Sequence, residues 1–319
     1  MSTQTAVLPP VLIDVGRNDE SLRRFLHGLP GVEAVGLEAR AAALATRAVD
    51  AEAELSAIDT AIRMVDLTTL EGADTECSVR ELCATARRPD PGRPEVPAVA
   101  AVCVYPDRVA AAAHALAGSG VAVAGVATAF PSGRSALQIK LAETRSAVDA
   151  GATEIDMVID RGAFLAGRYG QVFAEIVAVR QACVGARLKV ILETGELATY
   201  DNVRRACWLA MLAGADFVKT STGKLAPAAT VPVVTLMLQA VRDFEQLTGR
   251  RCGVKAAGGI RTTTDAIRYL VAVHEVAGSA WLSPRLFRFG ASGLLGDLLR
   301  QRRAQRDERH SSADSPAVS

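Results

Sequence analysis

Lysine is nearly absent from this chain. Of its 36 basic residues, 31 are arginines and five are lysines: Lys140, Lys189, Lys219, Lys224 and Lys255. Arginine evidently serves for general surface charge, yet a guanidinium stays protonated at any working pH and cannot attack a carbon as a free amine. The few lysines therefore mark positions where an amine is wanted. Aromatic residues are also scarce, at 4% against 50% apolar overall. Alanine and valine supply most of the apolar half, which suits helices packed closely on a parallel sheet and argues against an aromatic-rich β-sandwich.

Other absences narrow the function. No apolar run approaches the roughly 20 residues of a membrane span. The opening MSTQTAVLPPVLIDVGRNDE lacks the basic start and apolar stretch of a secretory signal, so a cytoplasmic protein is expected. The formal charge is +1 with no basic stripe, so no nucleic-acid partner is expected. Six cysteines (Cys77, Cys83, Cys103, Cys183, Cys207, Cys252) contain no CxxC pair, and the four histidines are isolated. Neither a disulfide framework nor a metal site is expected.

Residues 1–58 read as an N-terminal helical extension, in which GVEAVGLEARAAALATRAVDAEAEL predicts one long helix. Over residues 59–300, short β-branched runs alternate with helical patterns. The runs are AIRMVDL (61–67), AVCVYP (101–106), VAVAGVA (121–127), EIDMVID (154–160), LKVILET (188–194), DFVKTST (216–222), GVKAAGG (253–259) and LFRFGAS (286–292). Eight strands alternating with helices predict an α/β fold, a single (β/α)8 TIM barrel. The rival is an open doubly wound sheet, but no GxGxxG follows the first strand. The polar end, 301–319, is expected to be a disordered tail.

In such barrels the chemistry gathers at the C-terminal ends of the strands. Four of the five lysines fall in or just after strands 5, 6 and 7, and Lys140 sits on a helix. In strand 4, Ile155, Met157 and Ile159 share one parity, leaving Glu154, Asp156, Val158 and Asp160 on the other. The apolar parity should face the helices, so Asp156 points into the barrel, where a carboxylate needs a cationic partner. It reads either as half of a structural ion pair or as a proton carrier facing an amine. Lys219 and Lys255 fall on neighbouring strands, and two close, buried ammonium groups lower each other's pKa toward that of a free amine.

Small-residue turns after strands 7 and 8, Gly258-Gly259 and Gly290-Ala-Ser292-Gly293, stand where these barrels seat phosphate on backbone N–H groups and a helix N-terminus. Gly223 and Lys224, after strand 6, would add close approach and a positive charge. Asp66 and Thr68 are expected near the barrel mouth. Cys103 reads as a buried small hydrophobe or a site-lining residue. Glu193 is expected to pair with Lys189, both as supporting groups.

Taken in order from about residue 60 to 298, MVDLTTL, VCVYP, VATAFPSG, LAETRSAVDAGATEIDMVID, LKVILETGEL, GADFVKTSTGK, VKAAGGIRT and FGASGLL resemble the deoxyribose-phosphate aldolase family. The long N-terminal helix resembles that of its longer members. The resemblance implies a class I aldolase that needs neither metal nor cofactor. Such an enzyme interconverts 2-deoxyribose 5-phosphate with glyceraldehyde 3-phosphate and acetaldehyde, in deoxyribose phosphate catabolism. It assigns the Schiff base to Lys219, the second lysine to Lys255 and proton transfer to Asp156. The partners implied are the sugar phosphate and acetaldehyde, with a homo-oligomer left open. Ala256 stands where the family typically has proline, which would loosen the loop beside Lys255. Gly293 stands where a second hydroxyl is common, and the C-terminal tyrosine of some members is missing. The alternatives are another Schiff-base aldolase or transaldolase, and a non-catalytic phosphate-binding barrel.

Overall fold

A computed structural model describes residues 12, 14–47 and 50–313. Eight parallel strands close into one barrel in chain order, with β1 pairing both β2 and β8. They are β1 (Val65–Thr68), β2 (Ala101–Val104), β3 (Ala122–Ala127), β4 (Glu154–Val158), β5 (Arg187–Ile191), β6 (Phe217–Lys219), β7 (Gly253–Ala257) and β8 (Phe287–Ala291). Each lies within or overlaps one of the expected runs; the first run begins as helix, because the preceding helix continues to Arg63.

Twelve α-helices are present among the described residues. Three precede the barrel: α1 (Asp19–Gly28), α2 (Ala34–Ala45) and α3 (Ala51–Arg63). Nine follow within and after it: α4 (Glu76–Arg87), α5 (Val109–Leu116), α6 (Leu137–Asp149), α7 (Arg161–Leu165), α8 (Tyr169–Ala182), α9 (Tyr200–Leu212), α10 (Val231–Thr248), α11 (Thr263–Ala277) and α12 (Leu294–Ala313). Several begin at a threonine whose hydroxyl accepts an otherwise orphaned N–H: Thr75, Thr199, Thr230 and Thr262. None is long and apolar enough to cross a membrane.

Strand alternation sorts the side chains. Val65 and Leu67, Val102 and Val104, Ile155 and Met157, Leu188 and Val190, and Phe287 and Phe289 join the main core shared with the helices. The opposite parity fills the barrel. Only one small apolar cluster lies there among the described residues, Leu70, Cys103, Ala124 and Val126. Phe217, Val158 and Ile191 share that inward parity, and beside them the interior carries charged side chains.

Two expectations about the ends need correction. The single long helix is two, α2 and α3, because Asp50 starts a new one by accepting the Ala53 N–H at 2.8 Å. The first packs on α10 and α11, the second on α11 and α12, so the expected boundary at residue 58 falls inside a helix. The expected disordered tail is helical as far as Ala313, as the continuation of α12. Arg302 Nε lies 2.6 Å from Asp59, Arg303 Nε lies 2.9 Å from Asp90, and Arg306 pairs with Glu95. Residues 314–319 lie outside the described residues.

Candidate active site

Seven charged side chains meet inside the barrel: Asp66, Glu154, Asp156, Lys189, Lys219, Lys255 and Arg288, each at most 3% exposed. Each stands on the inward parity of its strand. Lys219 and Lys255 are register partners on β6 and β7, and Asp156 is the partner of Lys189 across β4 and β5. Asp156 is the hub. Its Oδ1 accepts from Lys189 Nζ at 2.7 Å, and its Oδ2 accepts from both Lys219 Nζ and Lys255 Nζ at 2.8 Å. Asp66 lies 2.6 Å from Lys255 and 2.5 Å from Arg288. Glu154 lies 2.6 Å from Lys189 and 3.0 Å from Arg288.

Three carboxylates thus face four cations. With every group ionised, one positive charge is left over in a buried interior, and the cheapest relief is to deprotonate the cation held least. Lys189 has three carboxylates within 4 Å, and Lys255 and Arg288 have two each. Lys219 has only Asp156, shared with Lys255. Its pKa is accordingly lowered from 10.5: burial is the main cause, Asp156 opposes it, and the Lys255 charge pushes further down. The order matters, since burial outranks the lysine–lysine repulsion expected from spacing alone.

Lys189, Lys255 and Asp156 stay charged. Burial works against the ammonium of Lys189 and of Lys255, but Asp156, helped by Glu154 and Asp66 respectively, raises both pKa values above 10.5. Burial also opposes ionisation of Asp156, yet Lys189, Lys219 and Lys255 hold its carboxyl well below the usual range. Cys103 lies beside this hub, 4.0 Å from Asp156 Oδ2, and burial followed by that carboxylate pushes its thiol up. It lines the interior as a protonated, small side chain.

Above the network, a cleft of about 490 Å³ opens at the C-terminal ends of the strands. The six residues expected at the phosphate seat, Gly223, Lys224, Gly258, Gly259, Ser292 and Gly293, all line it, together with Thr68 and Lys219. Gly258 needs its missing Cβ: its φ is +82°, and an added carbon would fall 2.6 Å from the Ala228 Cβ. The backbone can then approach a ligand closely. Helix α12 begins at Leu294, directly after Ser292 and Gly293, and turns its first N–H groups toward this end. Lys224 is less free than expected, because its Nζ lies 2.9 Å from Glu71. Arg261 also lines the cleft and was not anticipated, although it belongs to the GGIRT motif.

Three expectations fail in detail. Asp66 is not at the mouth; it stands two residues before Thr68 on β1, one layer deeper, fully buried among cations. Glu193 does not pair with Lys189. Its backbone turns left-handed (φ 53°), and its carboxylate accepts from Thr222 Oγ1 at 2.5 Å, holding the loop after Lys219. Ala256 loosens no loop, because it lies inside β7, paired with Phe289 and packed in the core. Sequence reasoning also missed Arg288 and Glu154 as neighbours of the lysines. The shared inward parity of Glu154 and Asp156 was the available signal.

A family model described as DeoC/LacD family aldolase matches residues 60–295. The human deoxyribose-phosphate aldolase is 46% identical over 271 residues, 81% of this chain and 84% of that one. The crystal structure of a Coccidioides immitis protein, provisionally described as a deoxyribose-phosphate aldolase, covers 90% of this chain with 98% of its own at 32% identity and a TM-score of 0.69. The tetrameric deoxyribose phosphate aldolase of Aeropyrum pernix covers 80% with 97% of its own, at 26% identity and a TM-score of 0.62. Matched across its whole barrel by the family model and nearly half identical to a curated member, this chain belongs to the DeoC/LacD family of aldolases.

Proposed function

We propose that the protein is a deoxyribose-phosphate aldolase, cleaving 2-deoxyribose 5-phosphate to glyceraldehyde 3-phosphate and acetaldehyde through a Schiff base on Lys219. The observation that carries this reading is the shared oxygen, Asp156 Oδ2, 2.8 Å from both Lys219 and Lys255, with Lys219 the one lysine of the three whose pKa falls. A free amine, a fixed ammonium and a carboxylate in contact are the set that imine chemistry requires.

The neutral Lys219 nitrogen attacks C1 of the open-chain sugar, and loss of water gives an iminium. The C3 hydroxyl proton passes to the Asp156–Lys255 pair through a water, and the C2–C3 bond breaks. Its electrons move to the iminium nitrogen and leave an enamine, while C3 departs as the aldehyde of glyceraldehyde 3-phosphate. The same pair returns a proton to the enamine carbon, and water releases acetaldehyde from Lys219. The glycine turns and Ser292 hold the phosphate, so binding far from the broken bond orients the reacting carbons.

A homo-oligomer belongs to the same proposal, supported by the tetramer of the Aeropyrum pernix relative. A cytoplasmic location rests on the sequence alone. The test is borohydride reduction with deoxyribose 5-phosphate, followed by peptide mass mapping, beside a coupled assay for glyceraldehyde 3-phosphate. A two-carbon adduct on Lys219 with substrate cleavage is expected. An adduct on another lysine would reject the assignment, and no cleavage would reject the activity.

A further inference from the structure

The barrel has a second opening, at its other end. Residues that precede or begin the strands line a cavity of about 450 Å³ there, among them Ala100 before β2, Glu154 at the start of β4 and Arg288 at the start of β8. Active sites of these barrels occupy the opposite face, so the aldol chemistry leaves this cavity unexplained.

Its lining is dominated by guanidinium groups. Arg63, Arg187, Arg285 and Arg288 face it, against the single carboxylate of Glu154. Glu154 is already engaged by Lys189 at 2.6 Å and Arg288 at 3.0 Å, with Arg187 at 3.9 Å. Arg63 and Arg285 are exposed and enter no ion pair among the described residues. Their charge at this opening is therefore not taken up by a neighbouring carboxylate.

We propose that this cavity is an anion site for a small phosphate-bearing molecule, separate from the reacting centre. Guanidinium forks fit phosphate oxygens two at a time, and the volume lies within the range of small-molecule sites. A phosphomonoester carries about −1.5 to −2 at neutral pH. Arg288 and Glu154 belong to the buried network, which leaves Arg63, Arg187 and Arg285 to be balanced, and a diphosphate does so better than a single phosphomonoester.

The probe is inorganic pyrophosphate, titrated calorimetrically into the full chain at low salt. Three proteins are compared: the parent, Arg63→Ala/Arg285→Ala, and Arg17→Ala/Arg24→Ala as a control for lost charge. The parent should bind pyrophosphate at this cavity as well as at the phosphate seat above the lysines. In Arg63→Ala/Arg285→Ala one of those two binding events should weaken about tenfold or more. The control should match the parent, and unchanged cleavage of deoxyribose 5-phosphate should report an intact fold. An isotherm of Arg63→Ala/Arg285→Ala identical to the parent's, or an equal loss in the control, overturns the site. Repeating the titration with a nucleoside diphosphate and with ribose 5-phosphate separates organic from inorganic ligands. Tighter binding of either, lost in the same variant, names the class, and binding no tighter than pyrophosphate assigns the site to the inorganic ion.

Discussion

Lys219 and Lys255 are register partners on adjacent strands, and one oxygen serves both: Asp156 Oδ2 lies 2.8 Å from each nitrogen. The sharing is unequal in effect. Lys255 also holds Asp66 at 2.6 Å, whereas Lys219 has no second carboxylate among the described residues. The lysine with two acids is kept as an ammonium, and the lysine with half of one is released toward the free amine. Two chemically identical side chains acquire different roles from the count of their neighbours.

The first prediction concerns the nucleophile. Lys219→Arg retains the positive charge but cannot form an imine, so turnover should fall by at least about a thousandfold, or roughly 4 kcal/mol of barrier. Deoxyribose 5-phosphate cleavage measured on the folded variant decides this. A rate within a hundredfold of the parent would remove Lys219 from the mechanism.

A second prediction follows from the excess charge. Lys219→Met deletes the surplus cation, while Asp156 keeps Lys189 at 2.7 Å and Lys255 at 2.8 Å. The inactive variant should be more stable at neutral pH by about 1–2 kcal/mol, a few degrees in Tm. The sign with pH is fixed by linkage. Because the Lys219 pKa is lower in the folded chain than its ordinary 10.5, the unfolded chain binds that proton better. Parent stability is reduced below the folded pKa and recovers as pH rises toward 10.5. The Tm advantage of Lys219→Met should therefore be largest near neutrality and shrink on going alkaline. A variant less stable than the parent at pH 7 would contradict the charge count.

Gly290 supplies a third. A Cβ there would lie 2.9 Å from the Cε of Lys255 and 2.8 Å from the Cβ of Ala257. Gly290→Ala should push the Lys255 stem off its place between Asp66 and Asp156. Misplacing a catalytic group by about 1 Å costs on the order of a hundredfold, so kcat should drop about 10- to 100-fold. A parent-like kcat would show that β8 yields instead, and that the position of Lys255 does not depend on this glycine.

The legible parts of the molecule are those governed by local period. Strand order followed from eight short apolar runs. Asp156 was found because Ile155 and Met157 claim the helix-facing parity of β4, and Lys219 and Lys255 because lysine is so rare here. What was hidden depends on partners far away in sequence. Arg288 looked like one more arginine of 31, yet it closes on Asp66, 222 residues earlier. The basic end of the chain looked like a solvated tail because its acids, Asp59, Asp90 and Glu95, lie more than 200 residues upstream. Glu193 turned away from Lys189 because a left-handed backbone angle redirected its side chain, and no periodicity encodes such an angle at a non-glycine residue.

The last prediction tests how Lys255 acts on Lys219. In Lys255→Leu the repulsion that lowers the Lys219 pKa disappears. At the same time Asp156 Oδ2 loses a competing donor and turns wholly to Lys219, which also favours its ammonium. Both changes raise the pKa, while burial, the main cause of the lowering, remains. The pKa should thus move part of the way back toward 10.5. Imine formation needs the neutral amine, so borohydride trapping with acetaldehyde should slow at neutral pH and approach the parent's rate as pH is raised. Turnover should recover less than trapping, because the variant also lacks a proton carrier. The measurement is the trapping rate of parent and variant from about pH 6 to 10, spanning the ordinary range of a perturbed lysine. A variant profile that overlays the parent's would mean that burial alone sets the Lys219 pKa, leaving Lys255 with proton transfer and nothing else.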